Sequence, residues 1–293
     1  MKILITGATG FIGQNLVMAL AKKSKHNISV LVRKTGAFPD NVQVILGNLV
    51  DSESLMKATK NIDVIVHLAA YVNIKNRRHS EQTNIIGLEN MLKAAKQNKV
   101  RHFIFFSTAV ITSEIPGVYT QHKKIGEDLV RRNSLPYTII RPSLVYGQYD
   151  NKNFGRMIAL IKRHPIVPIV GSGKAKTQPV LVDDLVDVTI KAIEKKPQNK
   201  VYFIAGPESI TVNEMIKLVA NQLGVTRHII HIPIPIALGG LKFYLFFSRY
   251  PKIIKEQIVR MNEDKVYDIT AAQNDFGFKP KNFASGIRFL KRS

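Results

Sequence analysis

Cysteine is absent from the 293 residues. No disulfide and no thiolate metal site can therefore form, no other metal-ligand spacing is visible, and a cytoplasmic location is the simplest expectation. No uninterrupted apolar run reaches the roughly 20 residues that span a bilayer. The opening MKILITGATGFIGQNLVMAL carries a lysine before an apolar run, as a signal peptide does, but its regularly spaced glycines fit a strand and a turn better. Acidic residues are scarce: 21 Asp and Glu stand against 43 Lys and Arg, a formal charge of +22. Such a field attracts anions, among them nucleotides, phosphosugars, nucleic acid and acidic lipid. The basic residues are scattered and no nucleic-acid module accompanies them, so no specific nucleic-acid partner is expected. Internal repeats and low-complexity segments are missing as well.

What is present is a chain that can bury a full core, 45% hydrophobic, as one large domain or a domain with a smaller appendage. Its first half alternates short β-branched runs with helical patterns, the signature of an α/β fold with a parallel sheet covered by helices. Strands are expected at 2–6, 28–33, 42–46, 63–69, 102–108 and 137–142, and helices at about 11–23, 52–60, 82–98 and 119–133. Strands this apolar need both faces buried. After residue 147 the pattern loosens. FGRMIALIKR and DDLVDVTIKAIEK read as helices, KVYFIAG as one more strand, and TVNEMIKLVANQLG as a helix capped by Thr211 and ended by Gly224.

TGATGFIG follows the first strand and opens the first helix. Gly7, Gly10 and Gly13, with Thr9, Phe11 and Ile12 between them, stand where a backbone can approach a pyrophosphate at a helix N-terminus. The second strand should end beside the adenosine ribose, where an acidic residue would mark NAD. It ends in LVRK, so Arg33, with Lys34, predicts pairing with a 2′-phosphate and favours NADP(H) over NAD(H). Beyond the third strand, Asn48 and Leu49 stand where they would touch the adenine. Tyr119 and Lys123 share one face of a helix at i and i+4, which permits a catalytic pair without demanding one.

Taken together, TGATGFIG (6–13), GNLVD (47–51), HLAA (67–70), NIIGLEN (84–90), FFSTAVI (105–111), YTQHK (119–123) and RPSLVYG (141–147) resemble the short-chain dehydrogenase/reductase superfamily. The likeness is to its extended and atypical epimerase/dehydratase branch, which includes nucleotide-sugar epimerases and relatives of the 39-kDa subunit of respiratory complex I. QPVLVDDLVDV (178–188), AGPESITVNEM (205–215) and DFGFKPKNFASGI (275–287) extend it nearly to the end. The resemblance implies a Rossmann-type doubly wound parallel sheet with a small C-terminal α/β substrate-binding region. Residues 1–147 would be the NADP-binding core, joined again by about 178–205, and 148–293 mainly the substrate region. It implies Thr108 as the catalytic Ser/Thr, Tyr119 as acid/base, Lys123 as its helper and holder of the nicotinamide ribose, and Asn84 as their support. Leu68, Ala69 and Ala70 would line the cofactor, and Pro142, Ser143 and Leu144 the nicotinamide.

The implied chemistry suits these residue types. Moving a hydride from a carbinol carbon requires a proton to leave the oxygen in step, an ammonium lowers the cost of a tyrosinate, and a threonine can hydrogen-bond the reacting oxygen. The expected substrate is a nucleotide-activated sugar or other small molecule, reduced or epimerised for polysaccharide assembly. The alternatives are a UDP-sugar C4-epimerase that retains NAD and a non-catalytic NADP(H)-binding protein like the complex I relatives. Only ten residues separate Thr108 from Tyr119, a compact loop that, with Arg33, leans toward a reductase. His67 and His102 read as core histidines, and Asp183 and Asp184 as a structural cap. The apolar run 229–248 contains prolines, Gly239, Gly240 and Lys242, which argue against a membrane-spanning helix. Its aromatics at 243, 244, 246 and 247, beside Lys242, Arg249, Lys252 and Lys255, raise two readings: a packed helix, or a segment at 229–255 in peripheral contact with acidic lipid at the inner face of the membrane. A homodimer is the other partner expected.

Overall fold

A computed structural model describes residues 1–23, 25–72, 76–115, 117–150, 153–195, 199–247 and 255–292. The first half runs β1 (Lys2–Thr6), α1 (Phe11–Lys23), β2 (Asn27–Val32), β3 (Val42–Leu46), α2 (Ser52–Ala58), β4 (Val64–His67), α3 (Arg77–Glu81), α4 (Gly87–Gln97), β5 (His102–Phe106), α5 (Val118–Arg132) and β6 (Tyr137–Pro142). The second half runs β7 (Val145–Tyr146), α6 (Asn153–Arg163), β8 (Ile166–Val170), β9 (Lys176–Thr177), β10 (Val180–Leu181), α7 (Val182–Glu194), β11 (Lys200–Ile204), β12 (Ile210–Thr211) and α8 (Val212–Gln222). It closes with β13 (His228–Ile232), α9 (Ile234–Phe247), α10 (Lys255–Arg260), α11 (Thr270–Phe276) and α12 (Phe283–Gly286).

Seven strands form one sheet in the order β11-β6-β5-β4-β1-β2-β3, every pairing parallel. The chain winds outward from β1 through β2 and β3 on one side and from β4 to β11 on the other. The crevice beyond the C-terminal ends of β1 and β4 is therefore the point where strand order reverses, the usual ligand position in such a sheet. Both faces are buried, as the apolar strands require. Ile3, Ile5, Val30 and Val66 face α1 and α7, whereas Leu4, Ile65, Phe103 and Ile139 face α2 and α4. Residues 269–278, α11 and its flanks, pack into the first of these layers. A third cluster, around Tyr146, Phe154, Val167, Ile216 and Phe283, joins α6, β8, α8 and α12.

The helix expected at 82–98 differs in form. Asn76 caps α3 by accepting from the His79 amide at 2.9 Å, and a π-helical turn over Gln82–Ile86 carries the chain into α4. The extra residue of a π-turn swings one side chain off the helical repeat. Here that turn holds the buried Asn84. The capping expected at Thr211 is present: its Oγ1 accepts from the Glu214 amide at 3.1 Å while Glu214 Oε2 accepts from the Thr211 amide at 2.7 Å. The apolar run forms β13 and α9, and among the described residues no helix is long and apolar enough to cross a membrane. Ile236 of α9 is 65% exposed. Residues 248–254, with Arg249 and Lys252, lie outside the described residues, as do the side chains of Lys242, Phe243, Phe246 and Phe247.

Candidate active site

The first turn after β1 is built for close approach. Gly7 has φ +73°, and a Cβ on it would stand 2.6 Å from the Ala69 nitrogen and 2.7 Å from the Leu68 carbonyl carbon. A Cβ on Gly13 would stand 2.2 Å from the Gly7 oxygen, so α1 can start directly above the turn only because neither residue has a side chain. Gly10 closes the turn, its amide donating to the Gly7 oxygen at 3.0 Å. Thr9 and Gly10 are exposed, Phe11 and Ile12 half-buried, and the first turn of α1 contains no acid to compete with an anion. Opposite, the Thr6 hydroxyl accepts from the Ala69 amide at 3.2 Å and pairs with His67 Nδ1 at 3.1 Å, bracing Leu68–Ala70 against the turn. Burial lowers His67 to about 3, and it packs on the rings of Phe103 and Phe105 as a neutral core residue.

Thr108 follows β5 by two residues, half-buried, its hydroxyl accepting from the Val110 amide at 3.4 Å as the cap of a 3-10 turn at Ala109–Thr112. Ten residues later α5 begins at a turn closed by the Thr120 hydroxyl, which accepts from the Gly117 amide at 2.8 Å and donates to the Gly117 oxygen at 2.7 Å. Lys123 is buried. Its Nζ donates to the Phe106 oxygen at 2.5 Å, 4.6 Å from the Phe105 ring centroid and 5.9 Å from that of Tyr119. Burial lowers the ammonium to about 7, partly offset by Glu127, and pushes the Tyr119 phenol up to about 12. Asn84 makes both backbone bonds of Tyr71, accepting at 2.7 Å and donating at 2.9 Å. It also donates to Ser80 Oγ at 3.2 Å, which pairs with His122 Nδ1 at 3.0 Å, joining the loop after β4 to α5.

Pro142 ends β6 beside Ile204 of β11. Ser143 donates its amide to the Ile204 oxygen at 2.9 Å and its hydroxyl to the Gln178 oxygen at 2.6 Å, and the Leu144 oxygen accepts from Val180. Asn48 is exposed beyond β3 with its amide on Ser54 Oγ at 3.2 Å, while the Leu49 side chain lies in the apolar layer below. An open cavity of about 330 Å³ lies between the 3-10 turn and the segment 263–267, with Val110, Glu114, Lys265 and Tyr267 in its walls. Ser113 Oγ donates to Glu263 Oε2 at 2.7 Å and latches the two sides together.

Residues 3–205 match the NAD dependent epimerase/dehydratase family. The chain belongs to that family. This epimerase/dehydratase family member is similar to a UDP-glucose 4-epimerase of Vibrio cholerae, 26% identical across 95% of this chain and 90% of the relative. It is also similar to a ceramide reductase of Caulobacter vibrioides, 27% identical across 80% and 74%. Among solved structures, a UDP-glucuronic acid 4-epimerase from Bacillus cereus in complex with UDP-glucuronic acid and NAD superposes with a TM-score of 0.77 at 23% identity, covering the whole of both chains.

The expectation of NADP(H) over NAD(H) is overturned. The family is NAD dependent, and NAD is the dinucleotide in the Bacillus structure and in several further solved structures of similar fold. Arg33 and Lys34 are both exposed beyond β2. In a chain of charge +22 they read as a solvated basic loop, not as a phosphate clamp. The cradle at Gly7 and Gly13, which a Cβ would fill, fits a dinucleotide pyrophosphate of either kind. Sequence reasoning about this family member passed over Glu127, Arg141 and the 263–267 segment. Glu127 carried a signal, since it lies four residues after Lys123 on the same helix face. Glu263, 150 positions from Ser113, carried none.

Proposed function

We propose that the protein is an NAD(H)-dependent oxidoreductase that reduces or epimerises a hydroxyl or keto centre of a nucleotide-activated sugar. The observation that carries the reading is the Lys123 ammonium buried against the C-terminal end of β5, 5.9 Å from the Tyr119 ring, on a helix that starts ten residues after Thr108. NAD, when bound, supplies the hydride exchange that the protein's own side chains cannot. Residues 1–147 with 178–205 would hold the dinucleotide, through Gly7, Thr9–Gly13, Leu68–Ala70, Lys123 and Pro142–Leu144, and the remainder mainly the substrate.

Tyr119 acts as the acid. A phenol held near 12 stays protonated at neutral pH and can donate to a carbonyl oxygen, which suits reduction. In the reverse direction the Lys123 charge lowers the cost of the tyrosinate, and the Thr108 hydroxyl steadies the reacting oxygen. Asn84 holds the loop after β4 in place around them. Turnover of UDP-, GDP- and dTDP-linked sugars with NAD or NADH tests the reading: Tyr119→Phe should lose turnover and keep dinucleotide binding, and unchanged turnover refutes the mechanism.

A second reading concerns a substrate with an apolar chain. It is favoured by the exposed Ile236 on a helix whose residues 234–241 contain no charge, and by the ceramide reductase among the relatives. In that reading α9 and the basic residues after it rest on an acidic bilayer, and flotation with anionic liposomes at low salt tests it. A homodimer is the assembly we propose, checked by light scattering.

A further inference from the structure

The catalytic scheme leaves unused an acid that is almost wholly buried. Glu127 is 1% exposed on α5, one turn beyond Lys123. Arg141 grips it bidentately, Nε to Oε1 at 2.8 Å and Nη2 to Oε2 at 2.7 Å, and Arg131 adds a bond to Oε2 at 2.7 Å. Burial by itself would raise this carboxyl, but the Arg141 hydrogen bonds and the two guanidinium charges outweigh it and hold the group below the ordinary carboxylate range. Buried ion pairs add little net stability, because both charges must leave water, and an apolar pair of similar volume often does as well. A role in register accounts better for a pair at this place.

The pair joins the parts of the site. On the helix side, a Cβ on Gly126 would stand 2.9 Å from the Phe105 ring, so α5 is pressed onto β5 closely enough for Lys123 to reach the Phe106 oxygen. On the sheet side, Arg141 immediately precedes Pro142, Ser143 and Leu144. Its guanidinium lies 5.1 Å from the Phe203 ring centroid, and Phe203 stacks on Tyr267 at 5.3 Å and 11°. Tyr267 is a wall of the cavity beside the Thr108 turn. One contact chain therefore runs from the helix of Tyr119 and Lys123 through the strand end to the cavity.

We propose that Glu127 is a positioning residue: forked to Arg141, it sets the register of α5 on β6 and holds a carboxylate one helical turn beyond the Lys123 ammonium. The inference rests on the reading of Tyr119 and Lys123 as the catalytic pair. Around Lys123, α5 presents Tyr119 and Glu127, β4 presents the neutral His67, and β5 presents the Phe106 carbonyl. Of these, Glu127 is the only anion.

The test is the titration of Lys123 in the NAD-loaded full chain, followed by NMR of ε-carbon-labelled lysine, with the resonance assigned by its loss in Lys123→Met. Glu127→Gln should move the Lys123 midpoint down by about one pH unit or more. The alkaline limb of the rate profile with UDP-glucose should move the same way, so that kcat lost at neutral pH returns on acidification while KM changes little. Should the single variant fail to fold with two guanidinium groups left unpaired, Glu127→Gln combined with Arg141→Met removes the fork and one cation with the carboxylate, and should move the midpoint the same way by less. Glu127→Asp, which keeps the charge, should leave the midpoint near that of the unaltered protein. A Lys123 midpoint that stays in place in a folded variant without the carboxylate overturns the proposal. Turnover that survives Lys123→Met overturns instead the catalytic reading beneath it.

Discussion

Replacing Gly7 by alanine should damage the protein in two separable ways. The residue sits at φ +73°, where an L side chain costs on the order of 1–2 kcal/mol. Its new methyl group would also lie 2.6 Å from a backbone nitrogen of the loop after β4 and 2.7 Å from a backbone carbon, neither of which can rotate away as a side-chain tip does. Overpacking of this kind costs about 1–3 kcal/mol more, for a total of roughly 2–5 kcal/mol. Two controls divide the sum. Gly224 has φ +69° with nothing within 4 Å of its Cβ position, so Gly224→Ala isolates the backbone cost. Gly13 has no positive φ but would place a methyl 2.2 Å from the Gly7 oxygen, so Gly13→Ala isolates the overlap.

Thermal unfolding should rank Gly224→Ala mildest and Gly7→Ala worst, at about 2–4 °C for each kcal/mol lost. Titration calorimetry with NAD should show weakened binding in both Gly7→Ala and Gly13→Ala, because the loop and the helix start they displace form the cradle. Gly224→Ala, at the far end of α8, should bind NAD normally. If Gly7→Ala unfolds and binds NAD like Gly224→Ala, the argument for a close-packed cradle is wrong.

Other expectations follow from single groups. Tyr119→Phe should lower kcat by about 100-fold or more with any accepted substrate, with the NAD dissociation constant unchanged by calorimetry. His67 is lowered to about 3 by burial and His102 to about 4, so the unfolded chain binds more protons than the folded one as pH falls below 6.5. Stability should therefore be complete above that pH and be lost progressively as pH falls to about 3, by several kcal/mol at most, and His67→Gln should flatten the dependence of the urea midpoint on pH. Glu263→Ala should release the 3-10 turn from the segment 263–267. A neutral-to-charged hydrogen bond of this sort is worth roughly 1–3 kcal/mol, so KM should rise about tenfold with kcat little changed, and an unaltered KM would remove the latch from the substrate site.

Much of the sheet could be read from composition alone. KILIT, VQVIL and YTIIRP became strands at the expected bounds, because β-branched runs of that length between helical patterns have few other ways to bury themselves. TGATGFIG was equally legible: spacing of three and a place between strand and helix are local properties, and local geometry follows from local residues. Arg33 was misread because a basic residue at a strand end looks the same whether it meets a phosphate or water. The π-turn at Gln82–Ile86 was invisible, since its residues continue a helical pattern and only the pull of Asn84 toward Tyr71 and Ser80 explains the added residue.

The sequence by itself determined the main strands and helices of the first half, where a dinucleotide turn could form, and that Tyr119 and Lys123 shared a helix face. Tertiary structure alone decided that Lys123 is buried against the end of β5 with Tyr119 half-buried beside it, that Glu127 meets Arg141 across two elements, and that residues 263–267 close the cavity begun at Val110. The first group depends on residues within a few positions of one another, where backbone preference and hydrophobic period act directly. The second depends on desolvation and on partners as many as 150 positions apart, brought together only when the whole chain packs.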